Sequence, residues 1–494
     1  MVWQLGHRGR SRLFAATDLT RFEDATVDSR VRTAWLLRSS RLASEFGNEP
    51  DRAWLATLRD PAVRSTPTLT RVEDGSGKIG IGTIHRYEQQ LGVTAGALRG
   101  VIDSMTRALD WRRLRVVEPE RDRAQRARQL NVLDAQIMAG LATGRTWTDA
   151  ADLLTGDGGL SILDRTREEW LQTLCSELLR STRLEQAARL EALCRLAADP
   201  SHADAVERTI RDVAGQPGCP RKHNLLDVLG DSVAPGIVTR LVDDLETTSG
   251  SDHFGAYLAL NCQLAYGETD PLVRTRLPRL LDATVRDSDG SRAAFARSLR
   301  RRLDSPTPAG PASPAAVRDT RTYVRAAYRE SGMTDPVLQR LVLEALGHDH
   351  AERRHHAVVL LGASPYRDVV ARVALDALRS GSLSPLARSR TAYIVRETAG
   401  HEATDALLRM LRDGNREQRV LAASTLLIWK RPPDGLSPAT LAERTGSHDL
   451  GIDAAGLWGH ADLGTFGADD PRVRWWVHAG PMVDDRAREA EVDG

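Results

Sequence analysis

The sequence predicts an all-α protein, with an N-terminal block of five short helices followed by an α-solenoid of stacked helix pairs. Three observations carry this expectation. Apolar residues recur three and four positions apart through most of the 494 residues, the period of one helical face. Amphipathic segments such as REEWLQTLCSELL and GIVTRLVDDLETT are separated only by short breaks (GQPGCP, DSVAP, TSGSD), the pattern of helix, turn and antiparallel helix. Finally, EALGHDHAERRHHAVVLL (344–361) aligns with RMLRDGNREQRVLAASTLL (409–427), since Leu346 to Leu411 and Ala357 to Ala422 both span 65 residues. ALRSGSLSPLARSRTAYIV (377–395) fits between them as a middle copy.

Taken in order, residues 1–28 form an N-terminal arm in which Arg8, Arg10 and Arg12 could enter a minor groove; a frayed terminus is the blander expectation. RVRTAWLLRSSR (30–41) places Val31, Ala34, Trp35 and Arg38 on one helical face, and PDRAWLATLR (50–59) turns Trp54 and Leu55 inward. In STPTLTRVEDG (65–75), Ser65 is a good N-cap, Pro67 is tolerated in the first turn, Leu69 and Val72 face a core, and Gly75 ends the helix. Lys78 lies in the glycine-rich turn that follows. IHRYEQQL supplies a fourth helix with Ile84, Tyr87 and Leu91 inward. AGALRGVIDSMTRAL supplies a fifth on Leu98, Ile102 and Met105.

Beyond this block, 112–128 is a charged linker or exposed helix and 129–302 the first part of the solenoid. The stretch 303–317, with Pro306, Pro308, Pro311 and Pro314, is a linker or long loop. Repeats occupy 318–431. Residues 432–494 form a C-terminal cap and tail, in which Trp475 and Trp476 either close the end of the stack or offer an exposed aromatic pair; the acidic end is frayed.

Composition narrows the function. The 68 basic and 67 acidic side chains nearly balance, yet residues 1–115 hold 19 Lys+Arg against 13 Asp+Glu, a local excess of 19 − 13 = +6. A modestly basic front end suits phosphate contact. Only Lys78, Lys222 and Lys430 are lysines, and the four cysteines (Cys175, Cys194, Cys219, Cys262) form no CxxC pair. That spacing speaks against a zinc site or a disulfide framework. No apolar run approaches the ~18 residues that span a bilayer, so a cytoplasmic protein without membrane contact is the default.

LTRVEDG (69–75) followed by RYEQQLGVTAGAL (86–98) resembles the Cro/CI-type (XRE family) helix-turn-helix domain, over about a sixth of the chain. The resemblance implies a domain over 29–111 that binds double-stranded DNA as a homodimer and regulates transcription. Its third helix would read bases through Thr66, Pro67, Thr68 and Arg71, with Arg64, Ser65 and Lys78 on phosphates. Arg is suited to guanine O6 and N7, and a Thr methyl to thymine. The glutamate matching Glu73 would pair with an arginine of the first helix, here Arg38. Two turns depart from the family pattern by their length, LASEFGNEP and RDPAVR. The later repeats resemble HEAT-type repeats, a surface for a protein partner, a ligand or self-association.

No catalytic constellation stands out: there is no P-loop, GxSxG or HExxH, and neither enzyme activity nor a cofactor is expected. His348, Asp349, His350, His355 and His356 crowd one turn, which is expected to face solvent without holding a metal. Asp243, Asp244 and Glu246 read as an exposed acidic helix face. A HEAT-repeat DNA glycosylase is the enzymatic alternative, although it needs a basic groove with aromatic residues. An interaction scaffold in a stress or phage-defence system is the third reading.

Overall fold

A computed structural model describes residues 17–24, 26–44, 51–110, 123–156, 158–265, 271–287, 290–304, 310, 312–429, 431–459 and 462–493. Among them are 26 α-helices and no strand, so the protein is all-α. No described helix is long and apolar enough to cross a membrane.

The first five helices are α1 (Ser29–Leu42), α2 (Asp51–Leu58), α3 (Thr66–Glu73), α4 (Ile81–Gln90) and α5 (Ala97–Leu109). Ten follow: α6 (Arg123–Met138), α7 (Gly144–Leu154), α8 (Asp164–Arg180), α9 (Arg183–Ala197), α10 (Ala203–Ala214), α11 (His223–Val228), α12 (Ile237–Thr247), α13 (Gly250–Ala265), α14 (Pro271–Asp287) and α15 (Gly290–Asp304). Then come α16 (Pro314–Ser331), α17 (Pro336–Gly347), α18 (Ala351–Ala363), α19 (Arg367–Arg379), α20 (Pro385–Thr398), α21 (Thr404–Asp413), α22 (Arg416–Leu427), α23 (Pro438–Thr445), α24 (His448–Leu457), α25 (Pro471–Ala479) and α26 (Asp485–Asp493).

These helices gather into two compact units that do not follow chain order. Unit 1 comprises 1–121, 183–187 and 309–454; unit 2 comprises 122–182, 188–308 and 455–494. The block over 29–111 thus belongs to the same compact unit as the later repeats.

Within unit 1, α17 pairs with α18, α19 with α20 and α21 with α22, while α18, α20 and α22 follow one another in contact. The repeat positions face inward as their spacing predicts, Ala357 and Ala422 both being fully buried. Polar turns are capped in kind: Asp335, Ser384 and Asn415 each accept an amide at the start of α17, α20 and α22, satisfying donors that a helix start leaves open.

The five-helix block is joined to α17 and α18 by buried charge. Arg32 of α1 donates from Nε to Asp18 at 2.8 Å and, with both terminal nitrogens, to Glu344 of α17 at 2.7 and 2.9 Å. Arg353 of α18 completes the group, reaching Glu344 at 2.5 Å and the carbonyls of Asp24 and Thr26. The side chains of Arg32, Glu344 and Arg353 are all 0% exposed. Burial drives the Glu344 carboxyl up, but the charges and hydrogen bonds of Arg32 and Arg353 outweigh it and hold it at about 2. Trp35 donates to Asp335 at 2.8 Å and stacks on Tyr366.

Two expectations change here. Phe22 and Val27 are buried and the Val27 amide donates to the Leu109 carbonyl, so the second half of 1–28 is packed rather than an arm; Arg8, Arg10 and Arg12 lie outside the described residues. His348 and His356 are buried, not solvent-facing. His348 Nδ1 accepts from the His350 amide and its Nε2 lies 3.0 Å from the Phe22 carbonyl, contacts that suit a neutral ring. Burial, together with Arg353 and His350, lowers its pKa to about 3. No group of three or more metal-ligating side chains occurs among the described residues.

Unit 2 closes on its own cluster. Glu177 of α8 accepts from Trp147, Arg189 and Arg488 at 2.8, 2.9 and 2.7 Å. Arg189 also binds both oxygens of Asp485, which takes the Gly144 amide as well. The acidic C-terminal end is thus a helix, α26, anchored by the 0%-exposed Asp485. Trp476 is buried where a Cβ on Gly456 would come within 2.1 Å of its ring, and Trp475 donates to Gln216. The tryptophans are core, not an exposed pair. In the proline-rich stretch, Ser313 and Pro314 start α16, so 314–317 are helical. Its residues 305–309 and 311, and most of the linker at 112–128, fall outside the described residues.

Candidate nucleic-acid interface

α3 is short, and its ends are fixed by different chemistry. At the start, Ser65 Oγ accepts the Thr68 amide and lies 3.0 Å from the Thr68 hydroxyl. At the end, Gly75 adopts φ +81° with its Cα so close to α1 that a Cβ would sit 3.1 Å from Val31 Cα. Both the backbone angle and the space require glycine. The turn then folds back, the Gly77 amide donating to the Arg71 carbonyl at 2.7 Å, and delivers Lys78 to the surface.

The inner side of α3 is Leu69, Val72 and Glu73, all buried. Glu73 pairs with Arg41 of α1, Nε to Oε1 at 2.6 Å and Nη2 to Oε2 at 2.5 Å, in the two-pronged geometry guanidinium favours. Arg41, three residues beyond the expected Arg38, is therefore the partner. The Tyr87 hydroxyl of α4 adds a third bond to Glu73 at 2.9 Å, and the Tyr87 ring meets Trp54 of α2 edge-on. One carboxylate thus ties α3 to α1 and α4. Burial, then the Glu73 charge, pushes the Tyr87 hydroxyl well above its ordinary pKa, so it remains a donor.

The long turn RDPAVR before α3 is an ordered structure. Arg59 takes a left-handed φ of 46° to end α2, Asp60 accepts the Ala62 amide, and Val63 plugs into the core. Residues 45–50 of the other lengthened turn lie outside the described residues. Glu88 of α4 caps α5 by accepting the Gly96 and Arg99 amides, both at 2.9 Å. Burial raises it to about 7 despite those bonds.

The outward stripe of α3 is Pro67, Thr70 and Arg71, exposed at a spacing of three and four. Thr66 and Thr68 are half-buried, and Thr68 is occupied with the Ser65 cap. Arg64 and Ser65 are exposed, and Arg64 Nε donates to the Pro61 carbonyl. Arg71 and Lys78 make no side-chain hydrogen bond or ion pair. Sequence reasoning missed Thr70, although the signal was present: it lies opposite Leu69 and Val72. The Arg32–Glu344 group had no such signal, because its members are 312 positions apart. Chemically, this surface offers a proline, a threonine methyl and the Arg71 cation on a fixed helix, with the Lys78 cation in the turn behind it. It contains neither a nucleophile and base nor a metal cluster.

Compared with known proteins, the chain matches no family model, no curated protein and no solved structure.

Proposed function

We propose that this protein is a sequence-specific DNA-binding regulator of transcription that lays α3 in a major groove. Arg71 would fork onto a guanine and the Thr70 methyl would meet a thymine. Pro67 and the half-buried Thr66 would add contacts near the helix start, with Arg64, Ser65 and Lys78 on phosphates. The observation that carries the reading is the Arg41–Glu73–Tyr87 group, which fixes α3 from within while leaving Arg71 and Lys78 unengaged outside. A helix held that rigidly presents its outer face without first losing conformational freedom. Two copies would meet half-sites one helical turn apart, about 34 Å, and the helix pairs α17–α22 are the natural place for a partner or effector.

Selection from a random duplex library by the full chain tests this. The expected result is an enriched motif, for which Arg71→Ala loses about 1–3 kcal/mol while non-specific binding at fixed salt changes little. No enrichment, or an unchanged preference in Arg71→Ala, would falsify the base-reading role.

A further inference from the structure

The α14–α15 hairpin of unit 2 carries a local excess of arginine. Residues 271–304 hold nine arginines against four aspartates, 9 − 4 = +5, in a chain whose total is +1. All other residues therefore sum to 1 − 5 = −4. Three of the nine are engaged: Arg276 with Asp243 and Glu246, Arg300 with Asp282 and Asp304, and Arg302 with the Asn261 side-chain oxygen. The other six, Arg274, Arg279, Arg286, Arg292, Arg297 and Arg301, are exposed and form no hydrogen bond or ion pair. Arginines on nearby elements behave differently: Arg195, Arg211 and Arg240 each hold a carboxylate.

A solvated helix face ordinarily mixes signs, as α12 does with Asp243, Asp244 and Arg240. This one does not. Arg279 and Arg286 lie two turns apart, opposite the buried Leu277 and Leu281, and Arg297 and Arg301 lie one turn apart, opposite Ala296 and Leu299. The support beneath is firm, because Phe295 of α15 stacks on Tyr257 and Phe254 of α13 at 4.6 and 5.0 Å. No large apolar side chain is exposed on the described part of the hairpin. A protein or membrane partner would need such anchors, whereas a phosphate backbone needs only forked cations.

We propose that the α14–α15 hairpin is a second, sequence-independent nucleic-acid surface that takes the phosphate backbone of duplex DNA on these six guanidiniums. It does not depend on α3 reading bases, since backbone contact carries no sequence information. Each phosphate neutralised releases counterions and steepens the fall of log K with log salt by about 0.9.

The experiment titrates the full chain against a random-sequence duplex of about three helical turns over a range of salt. The variant is Arg279→Gln/Arg286→Gln/Arg297→Gln/Arg301→Gln, in which glutamine keeps helix propensity. Its affinity at low salt should fall at least about tenfold and its salt slope flatten by about 2–4, with an unchanged thermal midpoint. The same four positions as lysine should recover most of the slope, and Arg71→Ala should alter it by no more than about 1. If the fourfold variant does not fold, the pairs Arg279/Arg286 and Arg297/Arg301 should each show about half the effect, as separate sites add. A folded variant with wild-type affinity and slope overturns the inference. So does a wild-type chain that retains no duplex at low salt, or one whose hairpin variants lose an acidic polypeptide or anionic vesicles but keep duplex. A loss of sequence preference in Arg71→Ala with an intact slope leaves the hairpin standing and speaks only to α3.

Discussion

Units 1 and 2 each close on a buried carboxylate held by arginines, yet they close on opposite ends of the chain. In unit 1, Glu344 sits between Arg32 and Arg353 and brings in Asp18 near the N-terminus. In unit 2, Glu177 sits between Arg189 and Arg488 and brings in Asp485 near the C-terminus. The difference lies in redundancy. Glu344 receives both fully buried guanidiniums of its cluster and is the one described carboxylate bound to Arg353, whereas Asp485 shares Arg189 with Glu177 and takes a backbone amide besides. Buried ion pairs contribute little net stability against an apolar core, but a survivor left without its partner is costly. Unit 1 should therefore be the more fragile of the two when a single member is lost.

The largest effect is expected for Glu344→Ala. It leaves Arg353 without a carboxylate and Arg32 with only Asp18, and should destabilise unit 1 by about 3–5 kcal/mol. Chemical denaturation followed by hydrogen exchange in α1 and α17 measures it. Replacing the group with apolar residues (Arg32→Met, Glu344→Leu, Arg353→Leu) should restore most of the loss. If the triple variant is no better than the single one, the unpaired charge is not the cause.

Asp485→Ala should cost less, about 2–4 kcal/mol, because Arg189 keeps Glu177. The loss should appear as lowered exchange protection in α7 and α26, with α17 unaffected. A cost equal to that of Glu344→Ala would erase the contrast between the units.

Acid gives a third separation. The Glu344 pKa is depressed from 4.5 to about 2, so its contribution is present above pH 4.5 and is lost as pH falls toward 2. The His348 pKa is depressed from 6.5 to about 3, so its contribution is present above pH 6.5 and is lost between there and 3. Protection of α1 and of the turn between α17 and α18 should therefore begin to decline below pH 6.5 and drop further below 4.5. His348→Gln, which retains a donor, should remove the first step and leave the second.

The helices and their inward faces were legible because they are local: Leu69 with Val72, or Ala357 with Ala422, announce themselves by spacing. The N-cap at Ser65 and the glycine at 75 were readable for the same reason. The partner of Glu73 was missed by three residues, since Arg38 and Arg41 lie on neighbouring faces of one helix and only packing decides between them. Both charge clusters were invisible. An arginine that is fully buried reads in sequence like the many that are not, and Arg32 meets Glu344 only after the chain has folded across more than 300 residues. The grouping of 1–121 with 309–454 was not readable for that same reason, because contacts of long sequence separation define it.

The smallest expected effect concerns the third cluster, Arg41–Glu73–Tyr87, which repeats the motif of one carboxylate and several donors inside the α3 support. Tyr87→Phe removes one of three bonds to Glu73 and keeps the ring against Trp54. The remaining two come from Arg41, so Glu73 stays paired and the cost should be about 1 kcal/mol. Arg41→Ala, which strips Glu73 of the one cation that pairs with it among the described residues, should cost several times more. Both can be read from thermal midpoints alongside duplex binding. Tyr87→Phe should keep the sequence preference while Arg41→Ala blurs it. Equal losses in the two variants would mean that α3 is held by its apolar face alone, and that the carboxylate group supports nothing beyond itself.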